Sequence, residues 1–114
     1  MTDRLDLLQG TLDLLILRSL VLGPAHGHAI ARHIQRTSDH LLQVETGSLY
    51  PALHRLEAQG WLSASWELSE KGKRAKYYRL TARGKKQLDA ARAKWDSFAR
   101  AMGLVLDPKS GGAA

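Results

Sequence analysis

The residues with the most varied chemistry stand close together in one short stretch. Ser48, Tyr50, Pro51, His54 and Arg55 bring a hydroxyl, a phenol, an imidazole and a guanidinium into little more than two helical turns. At about 100° per residue, Leu49, Ala52, Leu53 and Leu56 share one face of a helix. Pro51, His54, Arg55 and Ala58 share the other, with Ser48 and Tyr50 at its margins. One side is core, and the other offers the donors and acceptors that read phosphates and base edges. A second group follows at Lys71, Lys73, Arg74 and Lys76. It opens a run of eight basic residues between Lys71 and Lys86 that contains no acid. A face kept only for solubility would intersperse both signs, so the clustering indicates an anionic partner.

Other chemistry is poorly supported. Ser48 lies on a helix start without a Gly-x-Ser-x-Gly turn, and no motif pairs a nucleophile with a base, so the chain is expected not to be an enzyme. His26, His28, His33, His40 and His54 invite a metal reading, but no acid accompanies His26 and His28 at ligand spacing. No metal and no cofactor are expected. The absence of cysteine excludes disulfides and thiolate catalysis.

The elements that must position these groups follow from local signals. Thr46 or Ser48 is expected to cap the helix that carries them, Pro51 to occupy its first turn, and Gly60 to end it in a left-handed conformation. Two helices precede it. The first runs over Leu12–Leu22 behind Thr11 as cap and ends at Gly23-Pro24; the second runs from about His26 to Arg36, with Gly27, Ile30 and Ile34 inward and His33 half-buried. Thr37–His40 reads as a loop, and Leu41–Val44 as a brief extended segment. After Gly60 the period becomes alternating, which predicts a hairpin of residues 61–68 and 75–80 around a turn at 69–74. Trp61 and Trp66 are expected to pack within it, and one of Tyr77 and Tyr78 to enter the core.

Thr81 is expected to cap a last helix over 82–106. Its apolar residues Leu88, Ala91, Trp95, Phe98 and Met102 are spaced 3, 4, 3, 4, a heptad-like seam. A helix of that length outruns so small a domain, and pairing with a second copy is the expected outlet for Trp95 and Phe98. The fold class is therefore mainly α with a small β-hairpin. Its parts are a winged helix-turn-helix over 8–81, a dimerisation helix over 82–106 and a flexible tail over 107–114.

With 114 residues, 44% of them hydrophobic, and a formal charge of +6, the chain suits one modest domain. Its longest apolar run, Leu14–Leu17, is far short of a membrane span, and the charged N-terminus lacks a secretory pattern. No membrane partner is expected, and the cytoplasm is the expected location.

Gly47-Ser-Leu-Tyr-Pro-Ala-Leu-His-Arg-Leu-Glu57, then Gly60-Trp-Leu62, Tyr78-Arg-Leu-Thr81 and Gly84, together resemble the signature of the PadR family of bacterial transcriptional regulators. Leu8–Leu17 and Gly27-His-Ala-Ile30 are similar to its first two helices. The resemblance covers about residues 8–88 and is specific because the motifs occur in this order. It implies a homodimeric repressor on a palindromic duplex. Ser48, Tyr50, Pro51, His54 and Arg55 would then read the major groove, and Lys71, Lys73, Arg74 and Lys76 would lie on the wing. The single terminal helix resembles the compact branch of the family, and kinship further implies a small aromatic or drug-like effector that releases the DNA. The alternative is a winged-helix adaptor that binds protein and needs no cationic wing.

Overall fold

The computed structural model describes residues 10–107. Four helices and a three-stranded antiparallel sheet follow in the order α1 (Thr11–Ser19), β1 (Ala25–His26), α2 (Gly27–Thr37), α3 (Thr46–Ala58), β2 (Leu62–Leu68), β3 (Arg74–Leu80) and α4 (Ala82–Leu106). The sheet order is β1-β3-β2, so β3 is central and β2 forms an edge. The fold is a winged helix-turn-helix with a long C-terminal helix, as the sequence predicts. The proposed tail beyond residue 107 and the first two residues of the proposed 8–81 unit lie outside the described residues.

One core binds the three short helices to the sheet. Ile16 and Leu17 of α1, Ile30 and Ile34 of α2, and Leu49, Ala52, Leu53 and Leu56 of α3 are buried together with Leu62 and Tyr78 of the hairpin. Burial of a large aliphatic side chain contributes about 1.5–3 kcal/mol, so this cluster is the main force holding α3 in place. The inward stripes expected for α2 and α3 are those observed.

Several boundaries differ from expectation. Thr11 is the first helical residue rather than the cap, a position taken by Gly10 at φ +94°. That helix stops at Ser19, three residues early, because Leu20 and Val21 turn back on Leu17 and Arg18. Two residues after Gly23-Pro24, long enough only for β1, then pair with β3 in the register Ala25↔Tyr78 and His26↔Tyr77. So short a strand leaves no alternation to read. His26 also caps α2, its Nδ1 accepting from the Ala29 amide at 3.2 Å. The turn into α3 places Asp39 and His40 consecutively in the left-handed region, at φ 58° and 64°. Polar side chains of these types tolerate that region best.

Thr81 caps α4 as expected. Its hydroxyl oxygen accepts from the Gly84 amide at 3.0 Å and donates to the Gly60 carbonyl at 2.7 Å. The latter bond ties the start of α4 to the end of α3. A Cβ on Gly84 would run into the Trp61 carbonyl oxygen, so only glycine lets α4 leave the sheet at this angle. The remainder of α4 projects away, and the molecule measures 60 × 37 × 22 Å.

Candidate nucleic-acid interface

Helix α3 begins earlier and more loosely than its sequence suggests. Glu45 is the N-terminal boundary residue and no side chain caps it, so neither Thr46 nor Ser48 serves as expected. Pro51 consequently sits sixth in the helix, not in its first turn. Its missing N–H leaves the Gly47 carbonyl without the usual helical donor. The far end is closed firmly. Gly60 at φ +80° lets its own amide reach Glu57 and the Trp61 amide reach Leu56, the paired bonds of a Schellman stop.

The outward residues are where the stripe places them. Ser48, Tyr50, Pro51, His54 and Arg55 are all exposed. Tyr50 nevertheless has a structural duty, because its phenol ring lies across Gly27 at the start of α2. A Cβ at Gly27 would stand 2.8 Å from that ring. Tyr50 therefore fixes the approach of α2 to α3 while its edge stays in solvent. Arg55 is engaged too: its Nη2 donates to Asp13 Oδ1 of α1 at 2.6 Å. Glu45 and Glu57 are nearer in sequence, but the packing of α1 on α3 makes Asp13 the partner, a link of 42 residues that no local pattern reveals.

The hairpin forms at the predicted place, with Gly72 at φ +75° in its turn. Within that turn the Ser69 amide donates to the Lys73 carbonyl at 2.7 Å. Lys71, Lys73 and Arg74 are exposed, whereas Lys76 is half-buried and its Nζ lies 3.0 Å from Glu57 Oε1 of α3. Glu57 pulls the Lys76 ammonium above its ordinary pKa. Lys76 thus fastens the outer half of the hairpin to α3 and differs from its three neighbours. Burial raises the pKa of the Tyr78 phenol, which is the tyrosine that enters the core. Trp61 packs against the core, but Trp66 does not: it stands out from the hairpin with the Arg74 guanidinium 5.6 Å from its ring centre. The alternation of β2 reveals its face correctly, yet not that the core ends before Trp66.

The seam of α4 divides in two. Leu88 is only 8% exposed and belongs to the core of its own chain, so the 3,4 spacing identifies a buried residue without saying which chain buries it. Ala91 is intermediate, while Trp95 and Phe98 are 42% and 53% exposed and Met102 is exposed as well. The Trp95 and Phe98 rings contact each other at 6.2 Å. Beside them, a cleft of about 830 Å³ between α1 and α4 is lined by Leu14, Leu15, Leu88 and Trp95, with Arg18 and Lys85 at its polar margin.

Among the described residues, no three His, Asp or Glu side chains converge as a metal site, and no helix is long and apolar enough to cross a membrane.

Comparison with known proteins agrees with this geometry. The profile of the transcriptional regulator PadR-like family matches residues 16–90. An uncharacterised protein of Lysinibacillus sphaericus is 30% identical over 105 residues, covering 91% of this chain and 95% of its own. Among solved structures, a PadR family transcriptional regulator from Eggerthella lenta is 35% identical with a TM-score of 0.73, over 87% of this chain and 84% of that one. A transcriptional regulator from Clostridium thermocellum is 29% identical with a TM-score of 0.77, over 83% and 92%. The chain belongs to the PadR-like family of transcriptional regulators.

Proposed function

We propose that this PadR-family regulator is a sequence-specific DNA-binding repressor that works as a homodimer in the cytoplasm and is released by a small aromatic or drug-like effector. The observation that carries this reading is the sidedness of α3. The four residues of its apolar stripe, Leu49, Ala52, Leu53 and Leu56, are buried, and Ser48, Tyr50, Pro51, His54 and Arg55 all remain outside. In this reading residues 10–81, with the two that precede them, form the DNA-binding unit. The outer face of α3 enters the major groove and reads base edges, while Lys71, Lys73 and Arg74 bind phosphates beside it. Lys76 contributes indirectly, by holding the hairpin against Glu57.

Dimerisation falls to the outer part of α4. Trp95, Phe98 and Met102 would meet the same residues of a second copy, with Ala91 at the edge and Leu88 anchoring the base of the helix in the core of its own chain. Two copies joined in this way would set their recognition helices about 34 Å apart on a palindromic site. The cleft beside Trp95 suits an aromatic effector, because occupation there would bear on both α1 and the dimer seam.

The test is selection of duplexes from a random pool, followed by a salt titration of the selected sequence. A regulator that neutralises several phosphates should lose affinity steeply with salt and prefer the selected site. A flat titration with no enriched sequence would favour the protein-binding adaptor.

A further inference from the structure

The outer end of the hairpin has two unlike faces. Cross-strand partners share a face, so Leu62 with Leu80, Ala64 with Tyr78, Trp66 with Lys76 and Leu68 with Arg74 lie on one side. The first two pairs join the core. The last two run beyond it, leaving Trp66 59% and Leu68 70% exposed. On the reverse face, Ser65 and Arg79 both bond Glu67 Oε2 at 2.7 Å, which makes a neutralised polar surface. On the opposite face Lys76 is held by Glu57 in the same way, which leaves the exposed Arg74 guanidinium as the cation beside Trp66 and Leu68. That face is the α3 side, because Lys76 reaches Glu57 from it.

A wall of deoxyribose and phosphate has the complementary chemistry, apolar sugar faces between anions. We propose that Trp66 and Leu68 form a ledge that packs on the sugar walls of the minor groove next to the recognition site. Trp66 is also a positioning residue for Arg74, whose guanidinium it holds over its ring and aims into that groove. The inference rests on the DNA-binding reading above. Narrow A·T-rich minor grooves concentrate negative potential, so this pair makes the protein sensitive to flanking sequence that α3 never touches.

The intact chain labelled with 5-fluorotryptophan gives one resonance for each of its three tryptophans, and Trp66→Phe identifies the one in question. The Trp66 signal is expected to shift on addition of the selected duplex. Exchanging A·T flanks for G·C should weaken wild-type binding roughly tenfold. Trp66→Ala and Arg74→Ala should abolish that difference while keeping the preference at the centre of the site, and Trp66→Phe should retain most of it. Arg74→Ala should also lower the salt slope by about 0.9, whereas Trp66→Ala should leave it unchanged. A merely structural Trp66 would lower the slope along with the affinity. A silent Trp66 resonance in a bound wild-type complex, or full flank preference in Trp66→Ala, overturns the ledge alone; a wild type that binds no duplex overturns the DNA-binding reading with it. Because β2 is a sheet edge, loss of self-association in Trp66→Ala without DNA would instead assign this face to contacts between copies.

Discussion

Helices α3 and α4 carry similar amphipathic patterns and meet opposite fates. The stripe of α3 is completely buried by its own chain, whereas that of α4 is buried at Leu88 and bare from Trp95 onward. Length accounts for the difference. At about 1.5 Å per residue, a helix of 13 residues fits across the core, and one of 25 extends well past it. The polar face is the informative one on α3, and the apolar face on the outer half of α4. An amphipathic pattern identifies a surface that must be covered, and the size of the domain decides whether the chain can cover it alone.

Core truncation should separate the two helices most sharply. Leu53→Ala is expected to destabilise the fold by about 2–5 kcal/mol, since Leu53 is fully buried and leaves a cavity. Phe98→Ala should cost the isolated chain less than about 0.5 kcal/mol, as surface substitutions usually do. Paired thermal melts at low concentration check this; equal losses would mean that the outer part of α4 is packed within one chain.

Gly84→Ala should follow in size, costing about 1–3 kcal/mol as an overpacked contact against the Trp61 carbonyl. Its distinguishing sign would be altered departure of α4, read as weakened dimerisation out of proportion to the fall in melting temperature. Trp95→Ala should shift sedimentation toward monomer with little change in the melting of the monomer itself. An unchanged dimer would exclude this placement of the interface.

The smallest expected effect is alkaline. Tyr78 has its pKa raised by burial and Lys76 by Glu57, so each contributes stability that is present below its ordinary pKa and is lost as pH rises through the raised value. Both losses fall above about pH 10. Lys76 is solvent-screened, so Tyr78 should dominate. Melting temperature against pH should fall there in the wild type and less in Tyr78→Phe, a change confined to the core of the α3 and hairpin end.

Much of this was legible from residue order. The α3 stripe, the Gly60 stop, the hairpin with its cationic turn and the Thr81 cap each depend on neighbours within a few positions. What escaped depends on distant ones. Leu88 and Trp95 occupy equivalent seam positions, and only the extent of the rest of the domain separates them. Asp13 meets Arg55 across 42 residues. Trp66 follows the alternation of Leu62 and Ala64, so its exposure reflects where the core stops beneath the sheet. The sequence predicts Pro51 in the first turn, but α3 starts at Thr46 behind Glu45, which places the proline in the second turn.

The division of labour between α3 and the hairpin is tested most directly by comparing two variants on selected duplexes at several salt concentrations. Lys73→Ala with Arg74→Ala should reduce the slope of log affinity against log salt by about 1.8 and leave the preferred central bases unchanged. His54→Ala should leave the slope intact and change those bases. If the two variants behaved alike, or if neither slope nor preference moved, α3 and the hairpin would not form the DNA-binding surface proposed for them.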